Sequence, residues 1–184
     1  MNSKKTKSVV PSSTVFYHSM AAKLLYLSKR ARPDILMVVI FLCTRVQSAT
    51  MEDMNKLKRV PGYLKSTVNR TLMLRASGDE CWVVAYVDAA YALHSDSKSH
   101  SGVVDYVGNT LVYVLSRKQK CMSKSPTEAE LIALTDNLGL VELFQEFVDF
   151  VTKKTTKTPV IFQDCNAVVT LVTKGRGKLQ TKHL

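Results

Sequence analysis

At Cys81 the hydrophobic period of the chain changes from 3.6 residues to 2, so it must combine a helical segment with a sheet. Before that point, Phe16, Met20, Leu24, Leu25 and Leu27 recur at helical spacing over residues 14–28. Pro33 then opens a second helix at an early position where its missing N–H does no harm, and Ile35, Val38, Val39, Phe41, Leu42 and Val46 continue it. A third amphipathic segment covers 51–68. Pro61-Gly62 is predicted to interrupt it, because proline inside a helix costs roughly 3 kcal/mol. After Cys81 the pattern predicts strands at 81–88, 101–107 and 110–116, the last two joined by a tight hairpin at Gly108-Asn109. Helices at 125–137 and 138–151, a strand at 159–163 and a helix at 166–173 follow. The order βββ-α-α-β-α describes an α/β sheet, an antiparallel meander to which a helical crossover adds a parallel strand. The expected organisation is a flexible leader at 1–13, a helical unit at 14–76 and an α/β domain at 77–184.

Composition narrows the function. Twenty-six Lys and Arg against 15 Asp and Glu give +11, a charge that favours a polyanionic partner, nucleic acid first. Cys43, Cys81, Cys121 and Cys165 lie far apart, which indicates neither a disulfide framework nor a zinc site and fits a reducing, intracellular compartment. No secretory signal is visible. The Lys4-Lys5-Thr6-Lys7 tract is weakly compatible with nuclear import, and the longest apolar run, 35–43, is too short to cross a bilayer. The expected location is therefore cytoplasmic or nuclear, without membrane contact.

Three acids carry the chemistry. Asp88 ends the apolar run 81–87, Asp164 ends a second run at 160–163, and Glu130 lies one turn into the helix that starts at Ser125. Either aspartate alone is equally well a strand-end turn residue. Together, carboxylates at the ends of two strands and near a helix start can converge on a hard divalent cation such as Mg²⁺. Two-metal phosphodiester chemistry uses such a cluster. Ser125 and Glu128 form an S-x-x-E capping box with Pro126 at the first helical position, which gives Glu128 a local task. Glu128 and Glu130 lie about 200° apart around the helix and cannot share one site, so Glu130 is the metal-facing acid. Arg117, Lys118, Lys120 and Lys124 before this helix, and Lys174, Arg176, Lys178 and Lys182 in the tail, are candidate phosphate contacts. Ser99, Ser101 and Ser123 are candidate donors to phosphate or a 2′-hydroxyl.

These residues resemble the ribonuclease H domain of copia-type retrotransposons. The likeness is carried by Tyr86-Val87-Asp88-Ala89-Ala90-Tyr91 and Ser97-Lys98-Ser99-His100-Ser101-Gly102. It continues in Ser116-Arg117-Lys118-Gln119 and in Ser125-Pro126-Thr127-Glu128-Ala129-Glu130-Leu131-Ile132-Ala133-Leu134, which is similar to the family's S-x-T-E-A-E-Y-x-A-L. Asp164-Cys165-Asn166-Ala167 and Thr181-Lys182-His183 complete it. Residues 16–47 resemble the end of the neighbouring reverse transcriptase. The resemblance implies a ribonuclease H-like fold with a five-stranded mixed sheet. It further implies Mg²⁺-dependent cleavage of the RNA strand of an RNA–DNA hybrid, with Mn²⁺ as a substitute. Asp88 would bridge two ions, Glu130 and Asp164 would complete the ligands, and Lys182 and His183 would join the nucleic-acid contacts. Remaining reverse transcriptase domains are the implied protein partners.

The chain departs from the family's pattern in three places. A fourth carboxylate belongs just beyond Thr181-Lys182-His183, the closing strand and helix are abbreviated, and Pro61 stands where the family carries an apolar residue. The polymerase's Tyr-x-Asp-Asp is absent, which excludes DNA synthesis by this chain alone. A catalytically inactive nucleic-acid-binding remnant and a structural module docking on a polymerase subunit are the alternatives to a nuclease.

Overall fold

Helical spacing in the first third produces α1 (Pro11–Arg30), α2 (Leu36–Cys43) and α3 (Met51–Ser66), with 3-10 turns at Pro33–Ile35 and Val46–Ser48. The computed structural model describes residues 11–75, 81–154 and 156–175, and the chain divides into units Met1–Leu72 and Met73–Leu184. The expected second helix is thus shorter, a helix bracketed by two tight turns. Its inward stripe on α1 is Tyr17, Ala21 and Leu24, packed with Ile35, Val39, Leu42, Met54, Leu57 and Val60. Phe16, expected in that stripe, is 49% exposed. One residue is 100° of helix, and the buried Tyr17 hydroxyl finds a partner, donating to the Leu42 carbonyl at 2.9 Å.

Pro61 does not interrupt α3, contrary to the expectation from its sequence. Tertiary contacts offset the missing hydrogen bond. Leu57 and Val60 are buried just before it. Beyond it, the Arg32 guanidinium donates to Thr67 O and Thr67 Oγ1 (3.1 and 2.7 Å), and the Tyr63 hydroxyl donates to Asp34 Oδ2 at 2.9 Å. A reciprocal Thr50–Asp53 capping box fixes the other end of the helix.

The second unit contains β1 (Val83–Ala90), β2 (His100–Val107), β3 (Thr110–Lys118), α4 (Pro126–Thr152), β4 (Val160–Gln163) and α5 (Asn166–Lys174). The sheet order is β3-β2-β1-β4, with β1/β2 and β2/β3 antiparallel and β1/β4 parallel. This is the mixed α/β arrangement of a ribonuclease H-like fold, with four strands among the described residues. Gly108 takes φ +56° in the hairpin turn, which explains glycine there. On β1, Val83, Ala85 and Val87 face the helical layer, packing with Ala133, Leu134, Val141 and Val148 of α4 and Val168 of α5. Tyr86 points the other way, stacks on Phe162 at 4.9 Å and meets Tyr106 edge-on.

The two helices expected at 125–137 and 138–151 are one helix of 27 residues. Gly139 weakens a helix by only about 1 kcal/mol, and the buried stripe Ala133, Asn137, Val141, Val148 runs straight past it. A Cβ at Gly139 would meet nothing within 4 Å. Gly139→Ala should therefore stabilise the protein by about 1 kcal/mol, raising the urea midpoint at unchanged m-value.

Candidate functional site

The parallel pairing of β1 with β4 sets Val87 beside Gln163. The residues that follow, Asp88 within β1 and Asp164 just past the end of β4, therefore lie side by side. Ser125 caps α4, its hydroxyl accepting from Glu128 N at 3.1 Å. The reciprocal half of the box is displaced by one residue, since the Glu128 carboxylate takes the Lys124 N–H at 2.6 Å. This cap starts α4 so that Glu130, a little over one turn in, faces the two aspartates. Ligand oxygens of Asp88, Glu130 and Asp164 lie within 4.8 Å of one another, the one such group of three among the described residues. Asp88 and Asp164 are exposed, whereas Glu130 is 8% exposed.

Glu130 is held by two donors. Gln163 Nε2 donates to its Oε2 at 3.1 Å, and the Ala89 backbone N–H also bonds it. Burial pushes its pKa upward, the charges of Asp88 and Asp164 add to the rise, and the two hydrogen bonds oppose it. The centre therefore favours a proton or a cation on Glu130. Three oxygen donors at this spacing fit a hard divalent ion.

The expected nucleic-acid contacts fare unevenly. Ser99 and Ser101 are buried, and Ser123 lies between them and the helix start, so none is presented to a ligand. Their hydroxyls build a framework. Ser99 Oγ accepts from Ala92 N, Ser123 Oγ donates to Gln119 Oε1 at 2.9 Å, and Gln119 Nε2 donates to Ser101 Oγ (3.0 Å) and Ala129 O (2.9 Å). Arg117 is paired with Asp136, and Lys118 with Asp96 at 2.7 Å. Lys120, Lys124 and Lys174 are exposed. Arg176, Lys178, Lys182 and His183 lie outside the described residues. The sequence reading missed Gln119, which clamps the loop before α4 to the helix, and Gln163. Gln119 lay within the recognised Ser116-Arg117-Lys118-Gln119 stretch. For Gln163 the signal is an amide closing an apolar strand; Gln119 lies just past the end of β3, and no local pattern marks it.

A histidine chain stands beside this framework. His94 Nε2 contacts His100 Nδ1 at 3.0 Å, and His100 Nε2 contacts Ser116 Oγ at 2.7 Å, with all three residues buried. Burial, then His94, lowers the His100 pKa to about 4. Below the ordinary value of 6.5 the unfolded chain takes up a proton that the folded chain refuses. Stability is thus intact above 6.5 and lost as pH falls toward 4, by about 2 kcal/mol at pH 5 from this group. Urea unfolding at pH 7 and pH 5 should show that loss, and His100→Thr should flatten it.

Another buried acid, Asp105 of β2, accepts from Asn137 Nδ2 at 3.0 Å and has no partner at Oδ2. Burial raises its pKa. No helix among the described residues is long and apolar enough to cross a membrane.

No protein-family model matches the chain. Over 149 residues, 80% of the chain, it is 30% identical to the retrovirus-related Pol polyprotein from transposon RE1 of Arabidopsis thaliana. It is 31% identical over 119 residues to the uncharacterized mitochondrial protein AtMg00810 of the same plant, covering 64% of the chain and 49% of that protein. Against the Pol polyprotein from transposon TNT 1-94 of Nicotiana tabacum it is 26% identical over 169 residues, 91% of the chain. The chain spans about a tenth of the length of these polyproteins.

Proposed function

The chain belongs to the retrovirus-related Pol polyproteins of copia-type transposons, and from that premise we propose that its second unit is a metal-dependent ribonuclease acting on RNA–DNA hybrids. The observation that carries this reading is the convergence of Asp88, Glu130 and Asp164, whose ligand oxygens lie within 4.8 Å of one another. Exposed Asp88 and Asp164 offer oxygens toward solvent, where a nucleic-acid backbone can approach, while buried Glu130 anchors the set from α4. Mg²⁺ bound by these residues supplies charge neutralisation and an activated water for phosphodiester hydrolysis. Lys120 and Lys124, on the segment leading into α4, add salt-dependent attraction for phosphates. Arg117 and Lys118 are already engaged by acids and contribute less.

The test incubates the purified chain with a labelled RNA–DNA hybrid in Mg²⁺, in Mn²⁺ and in chelator. Cutting of the RNA strand in either metal and none in chelator is the expected result. Salt-sensitive binding of the hybrid without cutting in any condition overturns the nuclease reading and leaves a nucleic-acid-binding remnant.

A further inference from the structure

We propose that Gln163 is a positioning residue of this centre, setting its affinity for divalent cations by orienting Glu130; the assignment rests on the metal-dependent reading above. Both ends of the Gln163 amide are committed. Its Oε1 accepts the Cys165 N–H at 3.0 Å, so the Nε2 end must face Glu130, to whose Oε2 it donates at 3.1 Å. The backbone of Gln163 is also in register with Val87, the residue before Asp88. One side chain thereby ties the turn that carries Asp164 to the carboxylate from α4, beside the strand that carries Asp88.

The chemistry explains why an amide suits this position. Glu130 is buried and faces two other acids, so an undirected carboxylate there would turn away or hold a proton. A neutral donor fixes it without adding a positive charge that would compete with the cation. Lysine or arginine would neutralise the cluster, and asparagine is one methylene shorter. The amide bond occupies one lone pair of Oε2 and fixes the plane of the carboxylate, which still has lone pairs left for an ion. Residues that orient metal ligands in this way typically change metal affinity by roughly 10- to 100-fold when removed.

The experiment measures Mn²⁺ binding to the full chain by electron paramagnetic resonance, alongside metal-free thermal unfolding. The variants are Gln163→Met, which keeps the length but removes the donor, and Gln163→Ala as a second truncation. About tenfold weaker Mn²⁺ binding in both, with metal-free melting close to wild type, is the expected result. In a Glu130→Gln background the same substitution should cost nothing further, an outcome a merely structural role would not produce. Wild-type affinity in either folded variant overturns the role of Gln163 alone. Failure of the wild-type chain to bind Mn²⁺ overturns the metal-centre reading, and this assignment with it.

Discussion

Asp88→Asn should remove metal-dependent cutting of the hybrid and, in the same molecule, make the metal-free fold more stable. Asp88 is the acid of β1, between the register partner of Gln163 and the Ala89 N–H that bonds Glu130. An asparagine preserves its size but deletes the negative charge an ion requires. Interactions of an ion with developing charge are worth several kcal/mol, and each 1.36 kcal/mol is a factor of ten in rate, so a loss of about 10³-fold or more follows. The stability half has the opposite sign. Glu130 titrates above its ordinary value chiefly because it is buried and to a lesser degree because Asp88 and Asp164 repel it, so its contribution to folding is present at low pH and lost as pH rises through its folded pKa. Removing the Asp88 charge relieves that loss at pH 7 to 8. Burial is the larger cause of the rise and solvent screens the exposed aspartates, so the gain is small. Thermal unfolding of both proteins in chelator and in Mg²⁺ checks the pair. Wild type should gain stability from Mg²⁺ and the variant should not. A variant that still cuts, or that responds to Mg²⁺ as wild type does, sinks the role of Asp88.

What the sequence made readable is whatever depends on local rules. The two aspartates closing apolar runs, the Ser125 cap that aims Glu130 away from Glu128, and the Gly108 turn are each set by a few neighbouring residues, and the structure places them where those rules predict. The interruption expected at Pro61 and the helix boundary expected at 137/138 are both absent, because local penalties of a few kcal/mol at most are outweighed by tertiary contacts that no window of sequence contains. Pro61 sits in a helix whose end is tied by Arg32, nearly thirty residues earlier. Ser99 and Ser101 were misread for a related reason. A serine in a loop and a serine buried against an amide have the same propensity, and only the partner, here Gln119 and Ser123, decides which it is. The strand alternation could have warned of it. On β2, Ser101, Val103 and Asp105 alternate on one face, and Val103 is core, which implies a covered neighbour at 101.

That buried amide also carries the largest stability effect we expect. Gln119 is 3% exposed and its side chain makes three hydrogen bonds, donating to Ser101 Oγ and Ala129 O and accepting from Ser123 Oγ. Gln119→Leu keeps nearly the same volume, so little cavity forms, but it deletes three buried hydrogen bonds at once and takes from the Ser101 hydroxyl its Gln119 donor, while Ser123 keeps Ser99. An unsatisfied buried group costs about 1–3 kcal/mol. With some relaxation in the network, a total of about 3–5 kcal/mol is expected, a large share of the roughly 5–15 kcal/mol that holds a domain together. The urea midpoint should fall sharply at unchanged m-value, and melting should drop by roughly 10 °C or more. Ser123→Ala, which removes one bond of the three, should cost about 1 kcal/mol. The same clamp bonds the carbonyl of Ala129, the residue before Glu130, so weakening it also loosens the acid that faces the two aspartates. Mn²⁺ affinity of folded Gln119→Leu should therefore fall with its stability, whereas Gln163→Met lowers affinity and leaves stability in place. If Gln119→Leu costs less than about 1 kcal/mol, the amide is a bystander and the position of α4 is set by apolar packing of Ala133 and Leu134 alone.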